Sequence, residues 1–151
     1  MTLKVWTDGS AKKNGKFGAA GGFAFAVVIG DEIVRTCARG PFAEATNQQM
    51  ELMAAIEACN HVSRNTVGEF ECFIHSDSAY LVNCYNQNWY VNWEKNGWLN
   101  SKKEPVANKE LWEQLIPYFK SNNFHFVKVK GHADDEINNL VDKAAQNAAG
   151  G

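Results

Sequence analysis

The segment "GFAFAVVIG" (22–30) alternates large and small side chains along its length. The larger series is Phe23, Phe25, Val27 and Ile29, and the smaller series is Gly22, Ala24, Ala26 and Val28. Because successive side chains of a strand point to opposite faces, this alternation predicts a strand with one bulky face and one face of small residues. A face of small residues suits a helix that packs closely on a sheet. The segment therefore predicts a sheet strand with a helix against its small face.

The neighbouring segments extend this strand into a sheet. Residues 3–8 have the pattern of a strand, "GDE" (30–32) is a tight turn, and residues 32–39 return as a third strand. Two strands joined by so short a turn form an antiparallel hairpin. The first part of the chain is therefore predicted to be an antiparallel meander of three strands.

The rest of the chain alternates between helices and strands. Thr46 and Gln49 form a T-x-x-Q capping box that opens a helix ending near Arg64. The core stripe of this helix is predicted to be Leu52, Ala55, Ile56, Cys59 and Val62. Later elements are a strand at 70–75, a helix at 78–87, a loop-rich aromatic stretch to 107, a helix at 108–120, a strand at 124–130 and a helix at 135–148. The last helix is predicted to turn inward Ile137, Leu140, Val141, Ala144 and Ala148.

This order of elements predicts the fold class. Strands that alternate with helices after an initial meander indicate an α/β domain with a mixed sheet. At 151 residues the chain has the size of one domain, 1–151. No apolar run approaches the roughly 20 residues that span a bilayer, and the N-terminus lacks the apolar region of a signal peptide. We therefore expect a cytoplasmic protein without a membrane contact.

The four cysteines do not indicate a metal site. Cys37, Cys59, Cys72 and Cys84 each stand alone within a predicted strand or helix, and neither a CxxC motif nor a Cys/His ligand spacing occurs. We interpret them as buried reduced thiols, which fits a reducing compartment.

The charge distribution is less neutral than the total suggests. The net charge of −2 argues mildly against nucleic-acid binding. Between residues 86 and 109, however, four lysines (95, 102, 103, 109) outnumber two glutamates (94, 104), a local excess of two positive charges. On charge alone, a solvated surface and a nucleic-acid contact explain this segment equally well.

Four carboxylates stand at positions where functional groups of an α/β sheet gather. Asp8 ends the first strand, Asp77 ends the fourth, Glu51 lies early in the first long helix, and Asp142 lies on the last helix. Strand ends in open α/β sheets are common places for ligands. Each residue also has a structural explanation: a turn for Asp8, an N-cap for Asp77, the helix dipole for Glu51 and a solvated helix surface for Asp142.

Five motifs in order resemble the type 1 ribonuclease H family over essentially the whole chain. They are "TDGS" (7–10), "TNQQMELMAA" (46–55), "SDSAY" (76–80), "GW…PVANKELW" (97–112) and "VKGHADDEINNLVDKAA" (129–145). The resemblance implies the three-layer fold of that family, with a five-stranded mixed sheet and helices on both faces. It also implies a bacterial-type, single-domain ribonuclease H that cleaves the RNA strand of RNA–DNA hybrids, independently of sequence, leaving 5′-phosphate and 3′-hydroxyl ends.

The resemblance also assigns catalytic roles. It identifies Asp8, Glu51, Asp77 and Asp142 as catalytic carboxylates that hold two Mg²⁺ ions with substrate, with Mn²⁺ as the alternative metal. Two hard divalent ions about 3.5–4 Å apart activate water and stabilise the phosphorane and the leaving oxygen, and Mg²⁺ prefers oxygen ligands. His132 falls on the family's loop histidine, which assists proton transfer or product departure. A lone loop histidine is otherwise interpreted as an exposed side chain.

Substrate contacts follow from the same resemblance. Asn14, Asn47 and Gln48 are expected to face the 2′-hydroxyls of the RNA strand. Thr46 and Asn108 are expected to bind a phosphate of the DNA strand. The expected lining of the DNA channel is Tyr80, Trp89 and Trp93 with Lys95. The protrusion around these residues resembles the basic handle of bacterial members, but Glu94 and Glu104 make it less basic. For Trp98 and Trp112 a small aromatic core is the favoured alternative.

Two other classes of function compete with this interpretation. A relative could act on another substrate, as a separated reverse-transcriptase domain or a structure-specific DNA nuclease would; Asn14, Asn47 and Gln48 disfavour cleavage of DNA alone. A hybrid-binding module without catalysis is the other alternative, and the four intact carboxylates argue against it. We expect the protein to act on an RNA–DNA hybrid as a monomer.

Overall fold

The fold is an α/β arrangement around one five-stranded sheet. The computed structural model describes residues 1–12, 20–129 and 136–150. In chain order, the elements are β1 (Thr2–Lys12), β2 (Ala20–Ile29), β3 (Glu32–Ala43), α1 (Asn47–Asn65), β4 (Glu71–Ser76), α2 (Ala79–Gln87), α3 (Trp89–Asn96), α4 (Lys109–Phe119), β5 (Phe124–Lys128) and α5 (Glu136–Ala148).

The sheet is mixed, as the order of elements predicts. Its strand order is β3-β2-β1-β4-β5. The meander β1–β2–β3 is antiparallel, whereas β4 and β5 run parallel to β1. In this order β1 lies at the centre, between the antiparallel and the parallel halves. A group on β1 just after Thr7 therefore lies beside the end of β4, while β2 continues along its other side.

Helices cover both faces of the sheet, and the alternation in β2 decides which helix lies where. Phe25 and Val27 belong to the main core with residues of α1, α2 and α4. Ala24 and Ala26 belong to a separate cluster with Val141 and Ala145 of α5. The prediction that a helix packs on the small-residue face of β2 is thus confirmed, and α5 is that helix.

Helix α1 begins as the sequence predicts. The Thr46 side chain accepts a hydrogen bond from the Gln49 backbone N–H, and the Gln49 side chain accepts one from the Thr46 N–H, which completes the capping box. All five predicted core residues of α1 are buried: Leu52, Ala55, Ile56, Cys59 and Val62. The amphipathic stripe was therefore a sufficient guide to the orientation of this helix.

Two expectations about helices were wrong. The loop-rich stretch after α2 contains helix α3, whose Tyr90 and Trp93 are buried. Aromatic and Asn residues are weak helix formers, so α3 depends on tertiary packing and could not be predicted from the helix propensity of its residues. On α5, Leu140 is 39% exposed rather than inward, and the buried residues are Asn138, Val141 and Ala145. Ile137 and Ala144, which were predicted inward, pack partly buried against the same cluster.

The cysteines are free thiols, but only three of them are buried. Cys59, Cys72 and Cys84 lie in the main core, and burial raises the pKa of each thiol. Cys37 on β3 is only partly buried, which corrects the expectation for that residue.

Candidate active site

Three of the predicted carboxylates meet beside the central strand, at the point where its parallel neighbour β4 ends. Asp8 follows Thr7 on β1, and Thr7 is in register with Ser76, the last residue of β4, so that Asp77 emerges beside Asp8. Glu51 is the fifth residue of α1. One carboxylate oxygen from each of Asp8, Glu51 and Asp77 lies within 4.8 Å of the other two. Residues that are far apart in sequence thus form one acidic cluster.

Asp142 joins this cluster from the other side of the sheet. It lies on α5, one residue after the buried Val141, and close enough to Asp8, Glu51 and Asp77 to raise the pKa of all three carboxyls. One of its carboxylate oxygens accepts a hydrogen bond from Gln146 Nε2 at 3.2 Å. The structure therefore brings all four predicted carboxylates to one place, and α1 and α5 deliver two of them from opposite faces.

The local environment penalises the charged form of these groups. Burial, followed by repulsion from Glu51, raises the pKa of Asp8, which is 2% exposed. Burial, followed by repulsion from Asp77, raises the pKa of Glu51. Burial and Asp142 also raise the pKa of Asp77, while Lys128 opposes that shift. So many carboxylates kept close together are costly in their charged form.

The oxygen atoms of the cluster fit a hard divalent cation. Within residues 1–12, 20–129 and 136–150, Asp8 Oδ2 and Glu51 Oε2 are buried without a hydrogen-bond partner. A buried carboxylate oxygen without a partner carries a large desolvation cost, which a coordinated metal removes. Because all available donors are carboxylate oxygens, the cluster suits Mg²⁺ or Mn²⁺ better than a metal that prefers nitrogen or sulfur ligands.

The alternative explanations for two of the carboxylates do not hold. Helix α2 is capped by the Ser78 side chain, which accepts a hydrogen bond from the Leu81 N–H, so Asp77 is not its N-cap. Asp8 lies within β1 rather than in a turn after it, because β1 continues to Lys12. The expectation that the first strand ends at Asp8 was therefore wrong, and neither carboxylate has a purely local role.

A groove of about 760 Å³ lies along α3 and the segment that follows it, up to Ala107. Five of the predicted substrate residues border it, namely Gln48, Tyr80, Trp89, Trp93 and Lys95. Trp93 is only 9% exposed, so it supports the groove wall more than it presents a free ring. Sequence reasoning missed Asn92, Asn96 and Asn100 on the same groove; their recurrence at every fourth position was the available signal.

An aromatic cluster supports this groove from below. Trp112 is fully buried, and its Nε1–H donates a hydrogen bond to Tyr80 OH at 3.2 Å. Trp98 packs against the main core, and Lys109 Nζ lies 5.6 Å from the centre of its ring. Both residues therefore follow the aromatic-core alternative. Tyr80 connects this core to the groove.

Thr46, Asn47 and Asn108 lie near the start of two helices. Asn47 Oδ1 accepts a hydrogen bond from the Ala11 N–H at 2.8 Å, which holds the first residue of α1 against β1. Asn108 precedes α4 with a positive φ of 62° and makes no side-chain cap hydrogen bond. It lines a second cavity together with Gln49, close in sequence to Thr46. The predicted roles of these three residues remain predictions.

Two predicted site residues cannot be placed. Asn14 and His132 lie outside the described residues. Lys128, in contrast, is described and was not predicted. It pairs in register with Ser76 at the end of β5, and its charge lowers the pKa of Asp77. Only the parallel pairing of β4 and β5 brings this lysine to the acidic cluster.

Comparison with known proteins gives a consistent result. The family model for RNase H matches residues 1–150. The Ribonuclease H of Clostridium botulinum (strain Hall) is 39% identical over 144 residues, which cover 95% of this chain and 93% of that protein. The crystal structure of LC9-RNase H1, a type 1 RNase H with the type 2 active-site motif, is 25% identical with a TM-score of 0.75, covering 99% of this chain and 72% of the other. LC11-RNase H1 in complex with RNA/DNA hybrid shares the fold, with a TM-score of 0.72 at 21% identity over 98% of this chain and 97% of the other. The chain belongs to the ribonuclease H family.

Proposed function

We propose that this chain hydrolyses the RNA strand of RNA–DNA hybrids, independently of sequence, and leaves 5′-phosphate and 3′-hydroxyl ends. One observation carries the proposal: in a member of the ribonuclease H family, three carboxylates lie within 4.8 Å of one another. Two of their oxygens are buried without a hydrogen-bond partner in the described part of the chain. Such an arrangement costs stability and is therefore best explained by the chemistry that it serves.

The acidic cluster is proposed to hold two Mg²⁺ ions when the substrate is present. Asp8, at the centre of the cluster, would contact both ions, Glu51 and Asp77 would contact one, and Asp142 the other. Bound in this way, divalent ions supply a water-derived nucleophile and stabilise negative charge on the phosphate. The chain itself supplies the spacing, because β1, β4, α1 and α5 each present one carboxylate to the same place. Mn²⁺ has the same oxygen preference and is the expected substitute.

Recognition of the hybrid is proposed to divide between two surfaces. Asn14, Asn47 and Gln48 would read the 2′-hydroxyl groups, which distinguish RNA from DNA. The groove lined by Tyr80 and Trp89 would receive the DNA strand, because aromatic rings stack on bases irrespective of sequence. Thr46 and Asn108 would bind a phosphate of that strand.

His132 is proposed to assist proton transfer or product departure beside the acidic cluster. We further propose that residues 1–151 act as one domain, as a monomer and in the cytoplasm. No helix in the described ranges is both long and apolar enough to cross a membrane.

The proposal is tested by incubating the protein with labelled RNA–DNA, RNA–RNA and DNA–DNA duplexes, with and without Mg²⁺. We expect cleavage of the RNA strand of the hybrid alone, only with the metal, and at many positions. Cleavage of DNA–DNA would favour a structure-specific nuclease. Tight hybrid binding without turnover in Mg²⁺ or Mn²⁺ would favour a binding module and would refute the proposed activity.

A further inference from the structure

Gly9 lies where α1 comes closest to the central strand. In β1, Leu3 and Val5 face the core that contains α1, and alternation along the strand puts Gly9 on this same face. A Cβ added at Gly9 would lie well under 3.0 Å from the Met50 carbonyl carbon and the Glu51 amide nitrogen, and 2.7 Å from Met50 Cβ. The first two of these atoms belong to the backbone of α1, so a change of rotamer cannot relieve the overlap. Any side chain at position 9 must therefore move the helix.

Space, rather than backbone conformation, explains the glycine at this position. Gly9 is not among the glycines with positive φ, and it pairs with Phe23 in the regular antiparallel ladder of β1 and β2. An L-residue adopts such a strand conformation without strain. Gly30 and Gly68 are the opposite case, because both have positive φ and open space around them. A substitution at Gly9 therefore acts through the contact with α1 alone.

The same contact sets the distance between two carboxylates. Asp8 shares the face of Trp6, which packs against the α5 cluster, so its side chain leaves β1 on the side opposite to α1. Glu51 is carried by α1 and still comes within 4.8 Å of Asp8. The Gly9 N–H donates a hydrogen bond to Asp8 Oδ1 at 2.9 Å, and the Gly9 backbone also favours the charged form of Glu51, which opposes the rise in the pKa of that carboxyl. Gly9 thus lies between the two carboxylates and contributes no side chain to separate them.

We propose that Gly9 is a positioning residue, which sets the Asp8–Glu51 spacing by letting the backbone of α1 approach β1 at Met50 and Glu51. A methyl group at position 9 moves Glu51 outward by roughly the overlap it creates, of the order of 1 Å, and a misplacement of that size costs about 10²-fold in an oriented reaction. This inference rests on the proposed function for its kinetic consequence, but the geometry on which it stands does not depend on the substrate.

The test is Gly9→Ala, compared with Ala58→Val as a matched control. Ala58 is fully buried in the same helix–sheet interface, about two turns from Glu51, so its enlargement disturbs α1 away from the carboxylates. We expect both variants to lose stability in urea unfolding. Only Gly9→Ala should also weaken Mn²⁺ binding to the free protein, by at least about tenfold in a titration followed by electron paramagnetic resonance, and lower kcat for hybrid by about 10²-fold with KM nearly unchanged.

Two results would contradict the positioning role of Gly9. Wild-type Mn²⁺ affinity and kcat in a folded Gly9→Ala protein would overturn it, and so would an equal loss of Mn²⁺ affinity in Ala58→Val. If Gly9→Ala does not fold in buffer, the Mn²⁺ titration is repeated in sucrose, which favours the compact state. A second comparison then uses Ala55→Val, which enlarges a buried residue one turn from Glu51. This variant must weaken Mn²⁺ binding more than Ala58→Val does. If the wild type binds Mn²⁺ but cleaves no hybrid, the proposed function fails while the Mn²⁺ comparison still decides the role of Gly9.

Discussion

Replacing Asp8 by Asn should raise the stability of the metal-free protein while abolishing its activity. Asp8 is almost completely buried beside Glu51 and interacts with Asp77 and Asp142. Asn has the same size and keeps an oxygen that can accept the Gly9 N–H, which Asp8 Oδ1 accepts at 2.9 Å. The substitution therefore removes charge with little change in packing.

The expected gain in the free energy of unfolding depends on the interval between the ordinary pKa of Asp and the pH of the measurement. That ordinary pKa is 3.8, and one unit of pKa shift is worth about 1.4 kcal/mol. The free-energy cost of Asp8 to folding at pH 7 is limited, because the folded protein can avoid the buried charge by keeping the carboxyl protonated. Protonation at pH 7 of a group with this ordinary pKa costs about 4 kcal/mol, and the cost of Asp8 cannot exceed that value. Because Glu51 shares the repulsion, we expect about half of this ceiling, about 2 kcal/mol, or roughly 4–8 °C in Tm.

The pH dependence gives the sign of the effect. A carboxyl whose pKa is raised on folding binds more protons in the folded state, so its contribution to stability is fully present below the ordinary pKa and is lost as the pH rises toward the raised value. The advantage of Asp8→Asn should therefore be small near pH 4 and grow as the pH rises toward the raised pKa of Asp8, about 10. Mg²⁺ should narrow the difference, because ligand binding stabilises only the protein that binds it.

The assay is urea unfolding of wild type, Asp8→Asn and the control Asp31→Asn, in chelator at several pH values and again in Mg²⁺. Asp31 is exposed in the turn between β2 and β3, so its replacement should have no such effect. A variant Asp8→Asn no more stable than wild type at pH 7 in chelator would refute the argument from burial and repulsion. Cleavage of hybrid by that folded variant at more than a small fraction of the wild-type rate would refute the role of Asp8 as a metal ligand.

Three further predictions concern other parts of the molecule. His132→Ala should lower kcat by about 10²-fold or less, the lower range for help from a general acid or base; a loss in steady-state kinetics as large as that of Asp8→Asn would instead indicate a metal ligand. Changing Lys95, Lys102 and Lys103 together to Ala should flatten the dependence of hybrid binding on log[salt], measured in Ca²⁺, by up to about 2–3 units, with kcat nearly intact. Glu94 does not weaken this effect by pairing with these lysines, because it pairs with Lys120 at 3.2 Å; an unchanged slope would show that the three lysines are merely solvated. In urea unfolding, Val141→Thr should cost about 1–3 kcal/mol by burying a hydroxyl, whereas Leu140→Thr should stay within about 0.5 kcal/mol; equal losses would contradict the outward position of Leu140.

The local patterns of the sequence were enough to predict the fold class. Alternation in β2 predicted both the strand and the helix on its small face, and the Thr46–Gln49 capping box predicted the start of α1. These features depend on residues close together in sequence, whose spacing is decided by the geometry of a strand or a helix turn. The resemblance to the ribonuclease H family rested on motifs of the same kind, each short and each within one or two elements.

Tertiary structure decided the features that depend on contacts between distant residues. Helix α3 exists because Tyr90 and Trp93 are buried against the core, although its own residues favour a helix only weakly. The sequence of α5 predicted both Leu140 and Val141 inward, and only the docking of α5 on Ala24 and Ala26 decided that Val141 is buried and Leu140 exposed.

The candidate site divides in the same way. The sequence by itself identified Asp8, Glu51, Asp77 and Asp142 as carboxylates at strand ends and on helices, and their catalytic roles remain predictions. Their burial, their mutual repulsion and the arrival of Lys128 depend on how β1, β4 and β5 pair and on how closely α1 approaches Gly9. The pKa of a carboxyl is set by atoms within a few ångströms, whatever their distance along the chain. For that reason the residues of the site could be named from the sequence, whereas their spacing and electrostatics required the folded structure.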